Sequence, residues 1–367
     1  ILFITGTRAD FGKIESLAIT SKKNGFKVSF FVTGMHLIEK YGLTAIEVAR
    51  MKGVNRREYL NQREGDGQDQ ILSNTLQGMS EYFNQIKPDL IIIHGDRVEA
   101  LAAALVACIN EIRSIHIEGG EVSGTIDEVY RHCNTKLCTA HFVSSKNAKK
   151  RVIRMGENPN RVFILGSPEL DIHNKKTGIS IEEVKRRYEI KWNDFAIVIF
   201  HPVTSENDNI AKQASNLFNS LKLSGKKFIV ISPNNDLGSE KIFKIISKLK
   251  KSQFRIIPSM RFLYFSELLR NSKAIIGNSS AGVREAPFLG VPSLDVGTRQ
   301  TNRNKALSIT RANANDHEKI KQFLELEWGK KYIKDTTFGR GYSSKTFLKI
   351  LKDEKIWKLP LQKKFFD

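Results

Sequence analysis

The chain reads as short apolar runs separated by longer amphipathic stretches. ILFIT (1–5), KVSFFVT (27–33), DLIIIHG (89–95), RSIHIEG (113–119), HFVSS (141–145) and RVFILG (161–166) are rich in Ile, Val and Phe. Such runs, bounded by turn residues, predict buried strands. Between them the pattern predicts helices, among them about 10–23, 69–86 and 97–110, and one from about Ile126. The stretch RVEALAAALVACIN is apolar almost all round, as suits a helix buried against a sheet. The second half repeats the alternation with DFAIVIFHP, KKFIVISPN, FRIIPS, KAIIGNSS and PSLDVG. Strands alternating with helices imply right-handed βαβ units and parallel sheets. Two such series, broken at the polar SPELDIHNKKTG (167–178), predict two doubly wound domains.

Composition narrows this picture. A chain of 367 residues suits two domains. No run of eighteen apolar residues is present, so no transmembrane helix and no membrane partner are expected. The opening ILFITGT reads as a core strand, not a signal peptide, having no basic region before it. Cys108, Cys133 and Cys138 lack metal-site spacing and suit a reducing cytoplasm. The formal charge of +20 raises a nucleic-acid reading. Its lysines are spread along the chain without an aromatic-basic stripe, which favours a lysine-rich surface instead.

Chemically unusual residues gather just past the predicted strands: TGTRADFGK, HGDR, EGGE, HPVT, SPNND, GNSS and VGTRQ. In open α/β sheets ligands bind beyond the carboxyl ends of strands, so these clusters predict a cleft between the domains. Gly-Asn-Ser-Ser ahead of AGVREAPFLG offers hydroxyls and free N–H groups to an anion, or is a plain serine cap. Arg8 and Arg299 each follow Gly-Thr after a strand, as suits a diphosphate. The absence of G-x-G-x-x-G and of a Walker motif argues against a dinucleotide or a Walker-type ATPase site. Asp96 and Glu118 end two strands joined by one helix, and paired acids are an acid/base apparatus; capping the next helix is the equal alternative. Thr125 and Glu128 have capping-box spacing. His94, His116, His132 and His201 lie near strand ends or helix starts, and no metal set is formed.

GTRADFGK, HGDRVEALAAALVA, HIEGGEVSGTIDEVYRH, FHPVT, GNSSAGVREAPFLGVP and GTRQ, in this order and spacing, closely resemble the UDP-N-acetylglucosamine 2-epimerases. The likeness is strongest to the hydrolysing type of bacterial sialic-acid synthesis. The resemblance implies a glycosyltransferase-B-like α/β fold. Its N-terminal Rossmann-like domain would be 1–168 plus 345–367 and carry the acid/base residues. Its nucleotide-binding C-terminal domain would be 169–344, and SSKTFLKILKDEKIW would be a helix returning to the first domain. It further implies UDP-sugar substrate, UDP product, no cofactor and a homodimer or homotetramer. The implied reaction removes the C2 proton as UDP leaves C1, giving a 2-acetamidoglucal, and then adds water. Asp96, Glu118 and Asp127 match the catalytic acids. His201 matches a phosphate-side histidine, expected to be protonated. Arg8, Ser279, Ser280 and Arg299 match diphosphate binders, Glu285 a ribose ligand and Asn234 the nucleotide site. Arg97, Gly120 and His132 would approach the sugar. Gly12 departs from the human enzyme, which carries a serine there. The same pattern leaves open a nucleotide-linked N,N'-diacetylbacillosamine substrate, a non-hydrolysing outcome, or a retaining glycosyltransferase.

Overall fold

The computed structural model describes residues 1–63, 65–123, 126–234 and 236–366. The chain forms two compact units. One comprises Ile1–Glu121, Asp127–Asn174 and Phe338–Asp367; the other comprises Val122–Ile126 and Lys175–Thr337. The division at 174 and 338 departs from the expected 168 and 345. Asp171 supplies the reason: its carboxylate accepts the backbone N–H of Ser343 at 2.6 Å and of Ser344 at 2.7 Å. It thereby caps the late helix Ser343–Leu351 from outside and keeps its own helix, Leu170–His173, in the first unit.

In the first unit the strands are β1 (Leu2–Thr5), β2 (Ser29–Val32), β3 (Asn55–Glu58), β4 (Ile91–His94), β5 (Ser114–Ile117), β6 (Ala140–Val143) and β7 (Val162–Ile164). They form one parallel sheet, ordered β3-β2-β1-β4-β5-β6-β7. Alternate side chains point to opposite faces. Phe3, Phe30, Ile92, Ile115 and Phe142 enter one core with Phe347 of the late helix. Leu2, Ile4, Phe31, Ile91 and Ile93 enter the other, under helices Gln68–Ile86 and Val98–Ile109. The alanines of the second helix are buried there beside Met79, Tyr82 and Phe83, small residues admitting large ones.

The second unit contains β8 (Ala196–Ile199), β9 (Phe228–Ile231), β10 (Phe254–Ile257), β11 (Ile275–Gly277), β12 (Ser293–Val296) and β13 (Ile309–Ala312). Its parallel order is β10-β9-β8-β11-β12-β13. Strand order therefore reverses between β1 and β4 in one sheet and between β8 and β11 in the other. Ligands of doubly wound sheets bind at such switch points.

Three elements differ from expectation. Strand β3 reads NRRE and is exposed throughout, and β13 reads ITRA; both are edge strands and lack the apolar run of an interior one. SSKTFLKILKDEKIW is two helices, because Asp353 caps a fresh turn, Glu354–Trp357. Beyond it the chain is fastened back on the first unit. Arg161 donates to Pro360 O at 2.8 Å, and Lys363 Nζ donates to the carbonyls of Thr135, Lys136 and Cys138, each at 2.9 Å. Lys363 also pairs with Glu157 at 2.7 Å. Among the described residues no helix is long and apolar enough to cross a membrane.

Candidate active site

In the first unit the site is built on the loops after β1, β4 and β5. Thr7 caps the helix Arg8–Lys23 by accepting the Asp10 N–H at 3.1 Å, which sets Asp10 and Lys13 on its first turns. Register pairs His94 with Ile117, so Asp96 and Glu118 follow the ends of adjacent strands. Each has its own cation. Arg131, 1% exposed, donates to Asp96 Oδ2 and, at 3.0 Å, to Glu121 O. Lys13 Nζ lies 3.1 Å from Glu118 Oε1.

Glu118 also has φ +73°, a left-handed conformation that costs a side-chain-bearing residue about 1–3 kcal/mol. Such strain persists where neighbours fix it: Glu118 N–H donates to Phe142 O at 3.1 Å. His94 lies behind the carboxylate, with Nε2 3.4 Å from Glu118 Oε1 and Nδ1 3.4 Å from Asp10 Oδ1. Burial alone would discharge this imidazole, but the two carboxylates outweigh it and hold its pKa up at about 9. Burial likewise opposes the Asp10 charge, yet His94, Arg97 and Lys13 keep its carboxyl below the usual range.

The other histidines of this unit divide differently. His116 is fully buried, bonded to Gly95 O at 2.8 Å and Thr135 Oγ1 at 3.1 Å, and burial lowers its pKa to about 3. It is a neutral structural group. His132 is partly exposed on helix Asp127–Leu137, 3.7 Å from Glu128 Oε1. Asp127 opens that helix. The capping box proposed for Thr125 lies outside the described residues. Arg97 stands at the N-cap position of the helix after β4 and faces Glu99 at 3.5 Å, and Arg8 faces Glu47 at 3.6 Å. Gly120, φ +74°, has a packing reason: a Cβ there would meet Ala148 O at 2.3 Å. Glu121 is buried and accepts from Ser144 Oγ, so it is not a solvated acid.

In the second unit Asn278 organises the loops after β8 and β11. Its Oδ1 accepts His201 N–H at 2.7 Å and its Nδ2 donates to His201 O at 2.8 Å. Its carbonyl accepts from Gln300 at 2.9 Å and from Arg299 at 3.5 Å. The Asn234 N–H donates to His201 Nδ1 at 3.1 Å, which assigns the ring proton to Nε2. His201 is thus a neutral Nε2–H donor in this geometry, not the imidazolium expected from sequence. Ser279 Oγ accepts the Ala281 N–H at 3.4 Å. The expected single helix beyond it is two short ones, Ser280–Val283 and Glu285–Leu289, parted at Arg284. Glu285 is buried at the start of the second. Among the described residues no cluster could hold a metal ion.

A family model described as UDP-N-acetylglucosamine 2-epimerase matches residues 18–352. A UDP-N-acetylglucosamine 2-epimerase from Neisseria meningitidis serogroup B is 41% identical, covering 100% of this chain and 98% of the relative. The chain belongs to the UDP-N-acetylglucosamine 2-epimerase family. A hydrolysing UDP-N,N'-diacetylbacillosamine 2-epimerase from Legionella pneumophila is 32% identical over 96% of this chain and 95% of its own. Among solved structures, a Neisseria meningitidis UDP-GlcNAc 2-epimerase bound to UDP-GlcNAc has a TM-score of 0.78 at 20% identity, covering 95% and 98% of the two chains. That likeness bears out the expected glycosyltransferase-B-like fold of two parallel Rossmann-like sheets.

Within this epimerase fold, Asp96, Glu118 and His201 stand out in the sequence, whereas Asp10, Lys13, Arg131 and Asn278 do not. Lys13 and Asp10 sit inside the GTRADFGK block, three residues apart as one helical face requires. Arg131 carried no signal, since nothing local separates a buried arginine from an exposed one.

Proposed function

We propose that the protein is a hydrolysing UDP-N-acetylglucosamine 2-epimerase, converting UDP-GlcNAc and water to N-acetylmannosamine and UDP. The observation that carries this reading is the pair of acids at adjacent strand ends, each set against its own cation, Asp96 on Arg131 and Glu118 on Lys13. Epimerisation needs one group to take a proton from C2 and another to return one to the opposite face. A glycosyltransferase needs no such pair.

In this reading Asp96 and Glu118 work C2, with Asp127 at the start of the following helix as the further acid. Departure of UDP needs stabilisation of negative charge. His201 serves by donating through Nε2, with Arg8, Arg299, Ser279 and Ser280 on the diphosphate. Glu285 takes the ribose hydroxyls and Asn234 the nucleotide side. Arg97 and His132 approach the sugar, and Gly120 lets the loop carrying Glu118 pack tightly. No cofactor enters. The three cysteines are free thiols, which suits a cytoplasmic setting, and a homodimer or homotetramer is the assembly we expect.

The test is product analysis by NMR in D₂O with UDP-GlcNAc. The expected products are UDP and free N-acetylmannosamine deuterated at C2; a product that keeps its nucleotide refutes hydrolysis. A second reading rests on the 32% identical relative: if UDP-GlcNAc is untouched and UDP-N,N'-diacetylbacillosamine is consumed, that sugar is the substrate.

A further inference from the structure

The acid/base pair poses a problem of supply. Within one turnover one carboxylate gains a proton and the other loses one, so the donor must be reloaded. Glu118 is 4% exposed and Lys13 closes one side of it. On its other side stands His94, also buried, with both ring nitrogens shielded from solvent and outside hydrogen-bond geometry. What they face are two carboxylate oxygens at 3.4 Å, Asp10 at Nδ1 and Glu118 at Nε2. Such spacing is common in unliganded acid/base sites, whose contacts tighten when substrate binds. Asp10 is 18% exposed and marks the solvent end of the row.

We propose that Asp10, His94 and Glu118 form a proton relay in which His94 recharges Glu118 as the acid that protonates C2. This rests on the epimerase reading above. The Nε2 proton of His94 moves to Glu118 Oε1, leaving a neutral imidazole held by Asp10. Glu118 then gives that proton to C2 of the glucal as the C1–C2 double bond opens. Water adds its oxygen at C1 and releases one proton, and Asp96 gives up to solvent the proton it took from C2. His94 regains a proton from the Asp10 side before the next turnover. No oxidant or further reactant is needed.

The charged groups facing His94 are Asp10 and Lys13 from the first helix and Glu118 beyond β5. Arg97, at the start of the next helix, acts on Asp10. Against burial and Lys13, the two carboxylates hold the imidazole protonated up to about pH 9. A lysine in the same row would be a fixed cation; a histidine is a cation that can let its proton go.

The experiment compares wild type with His94→Gln and Asp10→Asn, each checked for folding by circular dichroism. Glutamine keeps a donor near Nε2 but has no proton to lend. UDP release and free sugar formation are followed separately, with NMR detection of 2-acetamidoglucal. The relay predicts that His94→Gln lowers free sugar formation by about 10²-fold or more, lowers UDP release much less, and releases glucal. It also predicts an alkaline decline near pH 9 in wild type that is absent from the variant. Asp10→Asn should move that decline to lower pH. Equal loss of both rates with no glucal would mean that His94 only shapes the loop, and would overturn the relay. So would an unchanged alkaline decline in His94→Gln. Failure of the epimerase reading is separate: wild type itself would then yield no C2-deuterated sugar.

Discussion

At the scale of the residue, the two acids differ less in kind than in surroundings. Asp96 faces a guanidinium that is wholly buried and always charged, whereas Glu118 faces a lysine and a histidine. Asp96→Asn keeps the shape and leaves an oxygen for Arg131. We expect it to lower turnover by about 10²–10⁴-fold while calorimetry finds UDP affinity unchanged, since Asp96 is assigned to C2 of the sugar and not to the nucleotide. Asp96 and Glu118 were legible in the sequence because they stand where apolar runs stop. Their partners were not. Arg131 lies 35 residues from Asp96 and Lys13 lies 105 from Glu118, and only the folded sheet order joins them. The tautomer of His201 was hidden for the same reason, being fixed by a backbone N–H from another loop.

At the scale of the element, the apolar strands announced themselves, the edge strands β7 and β10 included, whereas β3 and β13 did not. A central parallel strand is covered on both faces and must be apolar throughout. NRRE is exposed throughout and ITRA is buried only at Ala312, so their sequences were released from that demand. Glycine shows the converse, a local identity dictated by a distant neighbour. Gly277 ends β11 at φ +128°, and a Cβ there would lie 2.0 Å from Ile199 O on β8. Gly277→Ala therefore opposes the pairing that holds the loops of His201 and Asn278 together. We expect a loss of about 3 kcal/mol or more of stability, beyond ordinary overpacking, measured by denaturant unfolding.

At the scale of the whole molecule, buried histidines set how the first unit responds to pH. Desolvation lowers His116 to about 3 and His36 and His141 to about 4, so all three are neutral when folded. Unfolded, each would titrate near 6.5. The unfolded chain therefore binds more protons below that value, and stability falls as pH drops from about 6.5 through 4 to 3. His94 has the opposite sign. Its folded pKa is raised to about 9, so its contribution is complete below 6.5 and is lost as pH rises through 9. Melting temperature against pH should therefore peak near 6.5 and fall more steeply on the acid side, where three groups act against one. A maximum displaced above pH 9 would contradict this assignment.

The late helix and the fastened tail bear on synthesis. The second unit is almost wholly a single stretch, Lys175–Thr337, and can close as soon as that stretch has emerged. The first unit begins at Ile1 but needs Phe347 to fill its core and Lys363 to meet Glu157. Vectorial emergence from the ribosome thus inverts the usual order, in which the N-terminal part folds first. Nascent chains stalled once Thr337 is outside the tunnel should resist protease across the second unit and remain cleavable in the first. The half begun earliest waits until Phe347 and Lys363 have cleared the tunnel.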